Sequence, residues 1–141
     1  MSKKARILYL CGESDTLALM AEGFTRYYGG TTIEVQSVAR GSQEAHPYCN
    51  WAMNETGIDI GDIKPLKSPP ADMARFTHVV RLHPTGDEVT ADLPAGVRSE
   101  TWVLPDPVKA RGRPKEVILA FRSVRNQIEK KVKALLAAIF E

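Results

Sequence analysis

The stretch Arg6-Ile-Leu-Tyr-Leu-Cys-Gly-Glu-Ser-Asp-Thr-Leu-Ala-Leu-Met-Ala-Glu-Gly-Phe24 constrains the fold most, because it reads as strand, tight loop and helix in immediate succession. Ile7 to Leu10 is a short apolar run, as in a parallel strand buried on both faces. Leu17, Met20, Ala21, Phe24 and Tyr28 then recur at steps of three and four, which predicts an amphipathic helix ending at Gly29-Gly30. Cys11 falls where the strand ends. Ligands of open α/β sheets bind at the carboxyl ends of the strands, and a helix beginning there turns free N–H groups towards the loop. Two readings of Cys11 follow. A thiol at such a helix start ionises readily and makes a nucleophile at an anion site. Alternatively, Cys11 is a small buried hydrophobe that closes a strand.

The rest of the chain continues the alternation. Thr31 to Val38 is β-branched, with Ile33, Val35 and Val38 available to a core, and Arg40-Gly41 supplies a turn. Pro47 opens a helix through Trp51, Ala52 and Met53 that Gly57 stops; Cys49 lies within it and reads as structural. Ile58 to Pro70 is a proline-punctuated connection, and Ala71 to Phe76 supplies one or two helical turns. Thr77 to His83 is a third strand; Glu100 to Leu104 is a fourth, ended by Pro105-Asp-Pro107. After Pro114, the positions Val117, Phe121, Val124, Ile128, Val132, Leu135 and Ile139 predict one long helix over the sheet. Alternating strands and helices imply right-handed parallel crossovers with helices on both faces, hence a three-layer α/β/α sandwich.

At 141 residues and 43% apolar content the chain makes one domain, residues 1–141. Nineteen basic against seventeen acidic residues leave a net charge of +2, which gives no nucleic-acid footprint spread over the whole surface. No nucleic-acid partner and no membrane partner is expected. The start Met-Ser-Lys-Lys-Ala-Arg has no signal-like apolar region and no run approaches a membrane span, so a cytoplasmic protein is expected. Two cysteines make no disulfide framework and fit a reducing compartment. The basic surface from Arg122 to Lys133 reads as the solvated side of a packed helix, His46 and His78 as ordinary histidines, and Trp51 and Trp102 as core or rim aromatics.

The runs Ile-Leu-Tyr-Leu-Cys, Met-Ala-Glu-Gly-Phe, Gly-Ile-Asp-Ile and Pro-Asp-Pro before a long final helix stand in an order that resembles the low-molecular-weight protein tyrosine phosphatases and the related thioredoxin-coupled arsenate reductases. Met20 to Phe24 resembles the arsenate reductase branch in particular, and Ser37 to Pro47 keeps the rough pattern of the segment after strand 2 in both. The resemblance covers nearly the whole chain. It implies a low-molecular-weight tyrosine phosphatase-like fold with a four-stranded parallel sheet, an anion site at Cys11 and no cofactor.

In that family the loop reads Cys, five residues, Arg, then Ser or Thr. The thiolate attacks phosphorus or reduces arsenate, loop amides hold the outer oxygens, and the arginine clamps them bidentately. A remote Asp-Pro supplies the general acid. The resemblance therefore gives Cys11 as nucleophile and Asp106 as acid, with the oxyanion loop at Gly12, Glu13, Ser14, Asp15, Thr16, Leu17 and Ala18. Here the chain departs from the pattern. Leu17 holds the arginine position, Ala18 the hydroxyl position, Ser14 that of a bracing asparagine and Glu13 that of a glycine. His83 stands where the arsenate reductase branch has a cysteine, and no third cysteine exists.

Losing one oxyanion donor costs about 10²–10³ in rate, and losing a clamping arginine should cost more. Glu13 and Asp15 add negative charge beside the anion; like charges about 4 Å apart repel by roughly 4 kcal/mol at an effective dielectric of 20. The helix start returns only about 0.3–1 kcal/mol. The same carboxylates favour the neutral Cys11 thiol. Arg40, just past strand 2 on the same sheet edge, is the candidate substitute cation, with Arg81 less well placed. Asp15 also reads as an N-cap. Glu13, Asp15 and His83 offer a cation site as a minor alternative, but a dispersed trio without ligand spacing does not assign a metal. The expected outcome is a catalytically impaired member of this superfamily, acting as a binding or regulatory module with an oxyanion, small-molecule or protein partner. The alternative is a divergent active phosphatase or arsenate reductase using Cys11 and Asp106.

Overall fold

The structure is a computed structural model that describes residues 4–12, 15–40, 46–83 and 93–140. Its strands are β1 (Ala5–Cys11), β2 (Ile33–Val38), β3 (His78–His83) and β4 (Arg98–Val103); its α-helices are α1 (Asp15–Gly29), α2 (Pro47–Asn54) and α3 (Pro114–Ile139). The strands form one parallel sheet in the order β2-β1-β3-β4, as the alternation of elements predicts. β1 lies inside, with Ile7 opposite Val35 on one side and His78 on the other, which is why its apolar residues run without alternation. Ile7, Leu8, Tyr9 and Leu10 are fully buried.

The two faces of the sheet are covered differently. Ile7, Tyr9, Cys11, Val80, Leu82 and Trp102 share a core with all three α-helices. Leu8, Leu10, Val38 and Val79 form the second core with Phe76, joined by Leu66, Met73, Leu93 and Val97. A right-handed crossover from β2 to β3, on the far side of β1, must run over the face away from α1. The chain does so by wrapping the β2 edge. Ile58, Ile60 and Ile63 remain in the helical core; Leu66 then pairs with Val38, and Ala39 N donates to Leu66 O at 2.8 Å. Beyond it the chain reaches the second face through a 3₁₀ turn at Met73–Arg75. Among the described residues this third layer is irregular rather than α-helical, because Pro65, Pro69 and Pro70 deny the segment a helical ladder.

α1 is more deeply enclosed than its apolar stripe predicts, for every residue from Thr16 to Thr25 is buried. Gly23 permits this: a Cβ there would lie 3.0 Å from Ile60 Cγ2 and 3.2 Å from Met53 Cε. α2 is fastened to α3 by Glu55, which accepts from Arg122 at 2.6 Å and Arg125 at 2.7 Å. These partners hold the Glu55 carboxyl well below its ordinary range, at about 2. Among the described residues no helix is long and apolar enough to cross a membrane.

Candidate functional site

Cys11 ends β1 opposite Leu82, pointing into the helical core with Tyr9 and Ile7. Gly12 follows, and its carbonyl accepts the Arg40 N–H at 2.8 Å, so the loop is tied to the end of β2. Glu13 and Ser14 lie outside the described residues. Asp15, expected at the cap, is the first residue of α1 and a first-turn acid. Thr16, Leu17 and Ala18 follow as buried core residues. The positions matching the arginine and the hydroxyl thus contribute apolar packing, with both Leu17 and Ala18 at 0% exposure.

The electrostatics around Cys11 oppose ionisation. Burial pushes its thiol well up, and the charges of Asp15 and Glu22 push the same way. Burial also raises the Asp15 carboxyl, while Lys67 of the crossover segment opposes that shift. Cys49, expected to be purely structural, belongs to the same neighbourhood. Burial pushes its thiol up to about 12, the Thr16 hydroxyl hydrogen-bonds to it and lowers that shift, and Asp15 raises it. Both cysteines are free and buried.

A raised thiol pKa gives a definite sign to stability at high pH. The native state keeps these protons while the unfolded chain releases them above about pH 8.5–9. The unfolded state then binds fewer protons, and stability falls as pH rises. Urea unfolding is expected to weaken from pH 9 to pH 11 by up to about 1.4 kcal/mol per pH unit for each thiol. Cys49→Ala should flatten that slope; an unchanged slope would place its thiol in water.

Beneath Cys11 lies a buried polar network that the apolar periodicity did not reveal. The hydroxyls of Tyr9 and Thr25 are 2.6 Å apart, and Thr25 Oγ1 also donates to Ala21 O at 2.8 Å. Ser37 Oγ donates to Glu22 Oε1 at 2.6 Å, while Arg26 pairs with the other Glu22 oxygen at 2.6 Å. A usable signal exists in the sequence: Ala18, Glu22, Thr25 and Gly29 form a second stripe at helical steps, carrying an acid and a hydroxyl into the interior.

The other candidates separate. Arg40 lies at the expected edge, anchored through its backbone, with an exposed side chain. Arg81 pairs in register with Leu10, which places it on the opposite sheet face from Cys11. Asp106 lies beyond β4 at the carboxyl edge, and its side chain accepts the Val108 N–H at 3.1 Å to cap the turn Pro107–Lys109. It lines a cleft of about 480 Å³ with Lys109, Ala120, Ser123 and Val124, and Cys11 is not among the lining residues. Cys11 and Asp106 both lie at the carboxyl edge of the sheet.

The histidines and tryptophans take structural roles. His46 caps α2, its Nδ1 accepting the Tyr48 N–H at 3.1 Å, and packs 4.9 Å from Phe121. His78 lies at the amino end of β3, 2.8 Å from Thr77 Oγ1, its pKa lowered by burial and then by Arg98. Trp102 is buried against Tyr9 and donates to Glu100 at 2.7 Å, while Trp51 is half-exposed beside Tyr48. His83 ends β3, and its side chain lies outside the described residues.

No family model matches the chain. It is 34% identical over 133 residues to an arsenate reductase of Shouchella clausii, covering 94% of this chain and 95% of that one. It is 31% identical over 136 residues to a glutaredoxin arsenate reductase of Synechocystis, covering 95% and 98%. Among solved structures, an arsenate reductase in a phosphate-binding state superposes with a TM-score of 0.78 at 28% identity, covering 96% of this chain and 98% of that one. An arginine phosphatase of Geobacillus stearothermophilus shares the fold, with a TM-score of 0.76 at 18% identity over 96% and 92%. With a relative above 30% identity along nearly its full length, and the parallel sheet that places Cys11 at a strand end before α1, the chain belongs to the arsenate reductase family.

Proposed function

We propose that this chain is an arsenate reductase family member whose oxyanion chemistry is strongly impaired and whose fold serves as a binding or regulatory module. One observation carries the reading: Leu17, at the position of the clamping arginine, is a fully buried core side chain. No cation is delivered to the loop from that position, and burial, followed by the charges of Asp15 and Glu22, favours the neutral Cys11 thiol. A neutral thiol is a poor nucleophile, and an oxyanion brought beside these carboxylates is repelled.

The relatives' names favour a second reading, an active cysteine-dependent enzyme in which Cys11 is the nucleophile and Asp106 the acid. Turnover of p-nitrophenyl phosphate, and of arsenate with an external thiol, separates the two. Wild type and Cys11→Ser are expected to be indistinguishable, at least about 10³-fold below a relative with an intact loop. Wild-type turnover that vanishes in Cys11→Ser establishes the active enzyme instead. A melting-temperature comparison with phosphate and arsenate reports binding apart from chemistry, since a ligand of the folded state raises the transition.

A further inference from the structure

We infer that the segment Lys109-Ala-Arg-Gly-Arg-Pro-Lys115 is an arm that binds the minor groove of A·T-rich duplex DNA. Its four cations Lys109, Arg111, Arg113 and Lys115 fall within seven residues, and all are exposed. Arg6, Arg26, Arg75, Arg122 and Arg125 are each held in ion pairs, whereas none of the four arm cations joins one among the described residues. Arg111 donates only to the carbonyls of Lys109 and Ala110, at 3.3 and 3.4 Å. The net charge of +2 excludes a footprint over the whole surface; it does not exclude a short arm.

The shape of the arm selects the partner. Ala110 (φ −64°, ψ 143°) and Arg113 (φ −71°, ψ 156°) are extended, and Pro114 ends the extension by starting α3. Gly112, at φ +128°, stands between the two arginines without a side chain, so the backbone can approach a surface closely there. The minor groove is about 6 Å wide and admits little else. Its A·T pairs present only acceptors, which suit a guanidinium, whereas G·C adds an opposing amino donor. A-tracts narrow the groove further and deepen its negative potential, which draws in arginine, while the flanking lysines meet phosphates. The wide, shallow minor groove of duplex RNA lacks this fit. A membrane surface would need a cluster of apolar residues to insert, and the exposed apolar side chains nearest the arm in sequence, Val108 and Leu119, stand singly at its two ends. The Glu116 carboxylate rests over Gly112 and must swing aside; Glu116 is exposed, so it can turn to water.

Fluorescence anisotropy with short labelled duplexes tests the arm on the full chain. The A·T-rich duplex is expected to bind at least ~10-fold tighter than the G·C-rich one, with a micromolar dissociation constant at low salt and a log–log salt slope of about −3 to −4 for four engaged cations. Arg111→Ala/Arg113→Ala should abolish the preference without moving the melting temperature, because neither side chain packs in the interior. Arg111→Lys/Arg113→Lys should keep the salt slope and lose the A·T preference, since lysine is a point charge without a planar fork. Equal binding to both duplexes, equal or tighter binding to duplex RNA or anionic vesicles, or an undiminished preference in the double alanine variant overturns the inference.

Discussion

Leu17→Arg is expected to unfold about 3–5 kcal/mol more easily than the wild type in anion-free buffer, and to recover much of that loss in phosphate or sulfate. Leu17 has no exposed surface and packs in the core that holds Cys11, Ala18 and Met20. A guanidinium placed there is a buried charge without a partner, the situation that produces losses of this size. An oxyanion in the loop would supply the missing partner, and at 100 times its dissociation constant would return about 2.7 kcal/mol. The wild type should show no comparable anion effect. Urea unfolding of both proteins, with and without phosphate, reads the difference. A variant as stable as the wild type in anion-free buffer would mean that position 17 faces the loop cavity. The experiment also qualifies the restoration of an arginine by one substitution: Asp15 remains in the first turn of α1, and the core has adapted to leucine.

The second large effect is expected at Glu22. It is 3% exposed, accepts Ser37 Oγ and pairs with Arg26. Glu22→Ala strands the buried Ser37 hydroxyl and leaves a void between α1 and β2, at about 3 kcal/mol; the low end of the buried-pair range applies because Arg26 is half-exposed and can turn to water. Glu22→Gln keeps shape and hydrogen bond, and should lose only about 1 kcal/mol. The two variants separate packing from charge. Because the Glu22 charge raises the Cys11 thiol, Glu22→Gln should also speed alkylation of Cys11 relative to the wild type. An unchanged alkylation rate would leave burial and Asp15 as the causes of the thiol's inertness.

The alternation of elements was legible because it depends on short-range pattern: apolar runs at Ile7–Leu10 and Val79–Val80, the three-and-four steps of α3, and prolines after β4. The third layer was less so. The one or two helical turns expected over Ala71–Phe76 correspond to a single 3₁₀ turn at Met73–Arg75, whereas the path of the chain around the β2 edge, set by the pairing of Leu66 with Val38, is not a local property. Strand register decided the placement of Arg81, whose pairing with Leu10 sets it on the sheet face opposite Cys11. The structural reading of Cys49 fits its full burial in the core. Its hydrogen bond with Thr16 exists only once α1 and α2 share a core.

The sequence by itself determined what the loop contains: a cysteine at the end of a buried strand, leucine and alanine where the family resemblance implies arginine and a hydroxyl, and carboxylates where none is expected. These facts are covalent, and folding cannot alter them. Only the tertiary structure decided the state of the thiol. Desolvation and Coulomb interactions depend on distance and enclosure in space, and the groups that set them, Asp15 and Glu22 around Cys11 and Thr16 against Cys49, are brought together by helix packing.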